Sequence, residues 1–172
     1  MLGLPGSAYI YQGEELGLPE HTTLEAEFRE DPTFFRTKGE RVGRDGCRVP
    51  IPWEADAPAF GFNQTGDAWL PQPENFRGYA RDLQRGVAGS TLELYKRLLK
   101  LRREFDLGNG SLSWREELCD EGTLAYENNG ILVLANFAGT VALPKGELLV
   151  TTQHDLSIEG VLEADQVAWI KL

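Results

Sequence analysis

Hydrophobic and polar positions along this chain follow two grammars that change over near residue 110. Leu92, Tyr95, Leu98, Leu99 and Leu101 recur at three- and four-residue spacing, which predicts an amphipathic helix with Lys96, Arg97, Lys100 and Arg103 on its outer face. Ser90-Thr91-Leu92-Glu93 in front of it reads as a capping box, and Gly108-Asn109-Gly110 behind it should stop the helix near Phe105. Beyond that point the period becomes two. Residues 112–118, 123–127, 131–137, 141–143, 147–151 and 166–172 are short runs of β formers, separated by turn residues such as Asp120-Glu121-Gly122 and Ala138-Gly139. Asn129-Gly130 between TLAYE and ILVLANF predicts a tight hairpin. About six such strands in some 60 residues point to an antiparallel sandwich or barrel.

The front of the chain is less regular. After the turn signal Leu4-Pro5-Gly6, residues 7–11 (SAYIY) are β-prone and apolar on both faces, the pattern of a strand buried on both sides in a parallel sheet. No second strand of that kind follows. Residues 20–86 are rich in Pro, Gly, Asp and aromatics with little periodicity, and a stretch of that length inside a domain is usually functional. Trp53, Phe60, Phe62, Trp69 and Phe76 are expected to pin it by burial. One β/α unit cannot bury its own faces, so the first part is expected to be the last piece of a larger α/β domain whose beginning is absent.

Composition narrows the function classes. The chain has 172 residues, 41% of them hydrophobic, and no apolar run near the roughly 20 residues that span a bilayer. The amino terminus lacks the basic region of a secretory signal. A net charge of −10 argues against a nucleic-acid partner, and the basic helix face is then simply solvated. Residues 1–106 carry 14 Lys and Arg against 17 Asp and Glu, while residues 107–172 carry 3 against 10, a step that suggests a domain boundary near 106–110. Cys47 and Cys119 stand in unlike contexts, which predicts free thiols and a reducing, cytoplasmic setting. With only His21 and His154, no zinc set can be assembled, and neither a metal nor a cofactor is expected.

Two stretches carry the candidate chemistry. GRDGCRVPIPW, residues 43–53, encloses Arg44, Asp45 and Arg48 in a loop stiffened by Pro50 and Pro52. Its arginines supply fixed planar donors, either to sugar hydroxyls or to internal carboxylates such as Asp45, Glu14 or Glu15. Glu14 and Glu15 are adjacent and read as loop-anchoring acceptors rather than as an acid and base pair.

Together with LPGSAYIYQGEELGLPE, residues 4–20, that loop resembles the end of the catalytic barrel in the α-amylase superfamily (glycoside hydrolase family 13), most closely the α-glucosidase and oligo-1,6-glucosidase branch. The resemblance extends over the whole chain, LYKRLLKLRREF looking like the barrel's last helix and the tail like the family's C-terminal β-sandwich, domain C. It implies an α+β fragment: residues 1–108 as the last β/α unit of a (β/α)8 barrel, with residues 8–12 its eighth strand, and residues 109–172 as an all-β antiparallel sandwich. By the same resemblance, Arg44 lies at the floor of the pocket for the non-reducing-end glucose of an α-linked gluco-oligosaccharide. Glu20 lies near the neighbouring sugar, and Arg48 is a further substrate-binding candidate.

Retaining glycosidases need two carboxyl groups about the scissile bond. In this family these lie on the fourth and fifth barrel strands, with a further aspartate in an Asn-His-Asp motif, and none of the three is in this sequence. No catalytic residue is therefore assigned, and the chain is expected to be inactive alone. A barrel strand without neighbours has an open edge, so self-association through residues 4–12 is also expected. The alternative is a non-catalytic carbohydrate-binding or structural β-sandwich module. In that case Trp53, Trp69 and Trp114 would stack on sugar rings, although loop and core packing explains tryptophans more simply.

Overall fold

The computed structural model describes residues 1–153 and 155–172; His154, in the Gln-His-Asp stretch, lies outside the described residues. It is a mixed α/β structure whose sheets are antiparallel. The chain groups into two compact units, one of Met1–Tyr9 with Leu94–Leu172 and one of Ile10–Glu93.

The first unit is built on the predicted period-two segments. Strands β1 (Ser113–Trp114), β2 (Thr123–Asn128), β3 (Ile131–Asn136), β5 (Glu147–Thr151) and β7 (Gln166–Lys171) form a sheet in the order β1-β2-β3-β7-β5. β4 (Thr140–Ala142) and β6 (Val161–Glu163) pair separately. Asn129 and Gly130 both take positive φ, 48° and 75°, the mirror-image turn whose twist matches that of the paired strands. This turn sets Asn128 opposite Ile131 and so fixes the register of the whole β2–β3 ladder.

Every residue of β3 is buried, because both faces of the sheet are covered. Ile131 and Val133 join Leu2, Leu101, Leu107, Tyr126 and Trp169 on one side, against the long helix. Leu132 and Leu134 join Ala125, Leu162, Ala168 and Ile170 on the other, against the β4–β6 pair. That helix, α3 (Thr91–Glu104; α1 and α2, both short, are given below), runs close to its predicted bounds. The Ser90 hydroxyl accepts the Glu93 amide at 3.3 Å, but the Glu93 carboxylate accepts from the Gly86 amide at 2.9 Å, so only half of the capping box forms.

Three sequence expectations are corrected here. Residues 7–11 form no strand: with no neighbouring strand to share a ladder, Tyr9 and Tyr11 stand exposed instead of buried on both faces. β6 is an additional strand, and of the predicted residues 112–118 only Ser113–Trp114 pair, the rest turning into a short 3-10 segment at Glu116–Leu118.

The Ile10–Glu93 unit contains two short helices, α1 (Pro32–Arg36) and α2 (Arg81–Gln84), and several single 3-10 turns. Its core is Leu24, Val49, Leu70 and Phe76, flanked by Leu18, Phe28 and Phe60. Of the five aromatics expected to pin the loop, only Phe76 is fully buried and Phe60 partly so, while Trp53, Phe62 and Trp69 are exposed. Aliphatic side chains take over that role, since Leu24, Val49 and Leu70 occupy the interior the rings were expected to fill.

Candidate functional site

The loop of residues 43–53 is organised by two buried carboxylates. Asp45 is fully buried; its Oδ2 accepts the backbone amides of Glu30, at 3.1 Å, and Asp31, at 3.0 Å, while Oδ1 faces Arg48 Nη1 at 3.6 Å without a hydrogen bond. Asp31 in turn caps α1. Its Oδ1 accepts the Thr33 amide at 2.8 Å and Pro32 fills the first helical position, the arrangement that an Asp-Pro pair favours. Asp31 Oδ2 accepts the Arg44 amide at 3.1 Å and stands 3.7 Å from Arg48 Nη1. The Thr33 amide and hydroxyl, with help from the Arg44 amide and the Arg48 charge and against the opposing effect of burial, lower the pKa of Asp31 to about 2.

Two glycines make this packing possible. Gly43, at φ 73°, lies so close to Asp31 that a Cβ there would sit 2.6 Å from the Asp31 Cβ. At Gly46 a Cβ would meet the His21 carbonyl at 2.5 Å, and the Gly46 carbonyl accepts the His21 amide at 3.1 Å. The GRDG stretch is thereby bonded to the segment that carries Glu20. Burial, with the nearby Arg29 charge, lowers the pKa of His21 and so favours its neutral ring.

The two loop arginines come out differently. Arg48 is turned inward between Asp31 and Asp45. Arg44 has its backbone fixed by Asp31, but its side chain is 77% exposed and its Nε is 3.9 Å from the Asp31 carboxylate. Neither arginine pairs with Glu14 or Glu15. Those residues lie in a 3-10 turn, where Glu15 accepts the Gly13 amide at 3.0 Å as an anchoring acceptor.

Glu20 lines a cleft of about 210 Å³ with Tyr11, Gln12, Glu14, Cys47 and Phe76. Arg44 lines a separate open hollow of about 560 Å³ with Thr33, Glu40 and Arg41. Among these residues, sequence reasoning missed Asp31. The Asp-Pro helix start was a usable signal for α1, whereas its pairing with residues 44 and 48 was not. Among the described residues no group of three or more His, Cys, Asp or Glu converges as metal ligands would.

Residues 1–109 match the family model for the α-amylase catalytic domain. The chain is 38% identical over 103 residues to a probable α-glucosidase of Rhizobium meliloti strain 1021, covering 60% of this chain and 18% of that protein. It is 31% identical over 163 residues to probable oligo-1,6-glucosidase 3 of Bacillus subtilis strain 168, covering 81% of this chain and 28% of that one. The crystal structure of an α-glucosyl transfer enzyme superposes with a TM-score of 0.74 at 30% identity, over 98% of this chain and 33% of that chain. The chain thus spans less than a third of the length of either curated relative.

Proposed function

The chain belongs to the α-amylase family, and on that premise we propose that it is the C-terminal part of a glycoside hydrolase acting on α-glucosidic bonds of oligosaccharides. In this reading residues 1–108 are the end of the catalytic barrel and residues 109–172 its β-sandwich domain. The nucleophile and the acid/base lie outside these residues, and the chain by itself is inactive. The free thiols of Cys47 and Cys119 support a cytoplasmic setting.

One observation carries the proposal: Arg44 is fixed at its backbone by Asp31 while its guanidinium is open to solvent. A planar donor held at its base and free at its tip can hydrogen-bond adjacent hydroxyls of a glucose ring with little further loss of freedom. Arg48 sets the position of the two carboxylates that hold the loop and reaches sugar only secondarily. Glu20, at the neighbouring cleft, accepts hydrogen bonds from the next sugar unit.

Two measurements test this reading. Purified chain incubated with maltose or a chromogenic α-glucoside should release no glucose. In a nuclear magnetic resonance titration, maltotriose should shift the Arg44 and Glu20 resonances, and Arg44→Ala should abolish the Arg44-centred response. Glucose release, or sugar shifts confined to residues 109–172, would sink the proposal.

A second reading is favoured by the exposure of Trp53, Trp69 and Trp114, at 42%, 61% and 53%, although Trp114 also packs edge-on against Tyr126 and the Trp69 indole N–H donates to Glu30 at 3.4 Å. In a carbohydrate-binding module these rings would carry the affinity. The same titration separates the two, because Trp→Ala changes would then abolish the response while Arg44→Ala left it intact.

The exposed run Tyr9-Ile10-Tyr11, which pairs with no strand, supports self-association through residues 4–12, by added strand pairing. Sedimentation should show a dimer growing with concentration, and Ile10→Pro, which deletes a backbone donor, should shift it to monomer. A strict monomer at high concentration refutes this.

A further inference from the structure

Within the Ile10–Glu93 unit, the open hollow of about 560 Å³ that Arg44 lines has a fixed backbone wall. The Arg41 amide donates to the Thr37 hydroxyl at 3.0 Å, the Val42 carbonyl accepts from Arg29 Nη1 at 2.9 Å, and the Arg44 amide donates to Asp31 Oδ2 at 3.1 Å. Gly43 between them is packed against Asp31. Residues 41–44 are thus held one by one, while the side chains of Arg41 and Arg44 are left to solvent. Among the described residues the Arg41 guanidinium and the Lys38 ammonium form no hydrogen bond or ion pair, and Arg36 reaches only the Thr33 hydroxyl, at 3.5 Å.

Charge about the hollow does not cancel. Arg44 and Arg48 are offset by Asp31 and Asp45, but residues 32–43 contain the exposed cations Arg36, Lys38 and Arg41 against Glu40 alone, a local excess of positive charge in a chain of net charge −10. Cations held together repel one another, and an anion placed among them relieves that repulsion. Guanidinium groups anchored at the backbone and free at the tip are suited to phosphate oxygens, which they can bind in pairs. A hollow of this volume takes a small molecule rather than a polymer. We infer that it binds the phosphate monoester of a sugar: Arg41 and the Thr33 hydroxyl take the phosphate oxygens, Arg36 and Lys38 add to the positive field, and Arg44 spans from the phosphate to the sugar hydroxyls. The substrate class of the intact enzyme is then a phosphorylated α-glucoside, which rests on the reading of Arg44 as a sugar contact.

The test titrates the full chain with inorganic phosphate, glucose 6-phosphate and maltotriose at constant ionic strength, reading the arginine Nε–Hε resonances. Phosphate should shift Arg41 saturably. Glucose 6-phosphate should shift Arg41 and Arg44 together and bind about tenfold more tightly than phosphate, the usual worth of a hydrogen bond to a charged group. Arg41→Ala should weaken glucose 6-phosphate by about the same factor and leave the maltotriose response at Arg44 in place. Arg41→Lys, which keeps the charge without the planar fork, should recover part of the affinity. The Arg41 side chain holds no other described group, so circular dichroism should show an intact fold in both variants. Three results would each overturn the proposal: no saturable shift with glucose 6-phosphate, equal affinity for glucose 6-phosphate and inorganic phosphate, or undiminished binding in Arg41→Ala. A silent maltotriose titration beside tight, Arg41-dependent binding of glucose 6-phosphate would instead remove the neutral-oligosaccharide reading and leave the phosphate site standing.

Discussion

Gly43 and Gly46 are present in the loop because of what presses against them, the Asp31 side chain and the His21 carbonyl. The residues they admit give the loop a defined pH response. Asp31 titrates at about 2 in the folded chain against 3.8 for the free side chain, so its ionised form favours the folded loop. That stabilisation is complete above about pH 4 and is lost as pH falls toward 2. The Asp31 carboxyl resonance should titrate with a midpoint near 2, and Asp31→Asn should flatten the pH dependence of unfolding in that window. A midpoint near 4 would show that the capping and Arg44 contacts do not hold in solution. The charged residues of the site were readable in order along the chain, but Asp31 meets residues 44 and 48 only after the loop has folded back. No local spacing encodes that approach.

Elements were legible in proportion to how far local chemistry decides them. The hairpin at Asn129-Gly130 was, because positive φ at consecutive positions demands these residue types. Gly130→Ala should therefore destabilise the chain by about 1 kcal/mol through backbone strain alone, as a Cβ there meets no atom within 4 Å. Thermal unfolding measures it, and an unchanged midpoint would mean that the turn can relax to another type. α3 was legible for the same kind of reason, its period and cap agreeing. β6, by contrast, is three residues long, too short for alternation to register, and exists because β4 offers it a ladder. Residues 7–11 fail the other way: their composition is that of a strand, but a strand is a relation between two segments, and no partner segment pairs with them.

The two compact units differ in what holds them. The sheet unit has buried clusters on both faces of β3, whereas the Ile10–Glu93 unit has four fully buried hydrophobic side chains in its cluster and relies on buried polar contacts around Asp31 and Asp45. Urea should therefore unfold residues 10–93 first. Single-tryptophan variants give the readout, since Trp53 and Trp69 report on that unit and Trp114 and Trp169 on the other. Coincident transitions from all four would contradict the division. Read along the chain, the charge step near residue 106 placed a boundary after the helix, whereas contacts group α3 from Leu94 onward with the sheet. Charge reports how a segment meets water, and Leu98, Leu99 and Leu101 report what it is buried against. By itself the sequence determined the helix, the hairpin and most strands, and its motifs carried the family, because each of these follows from residue types at short spacing. The tertiary structure alone decided which carboxylates hold the loop arginines and which tryptophans face solvent. Each of those is a contact between segments far apart in the chain, and burial is a property of the folded whole.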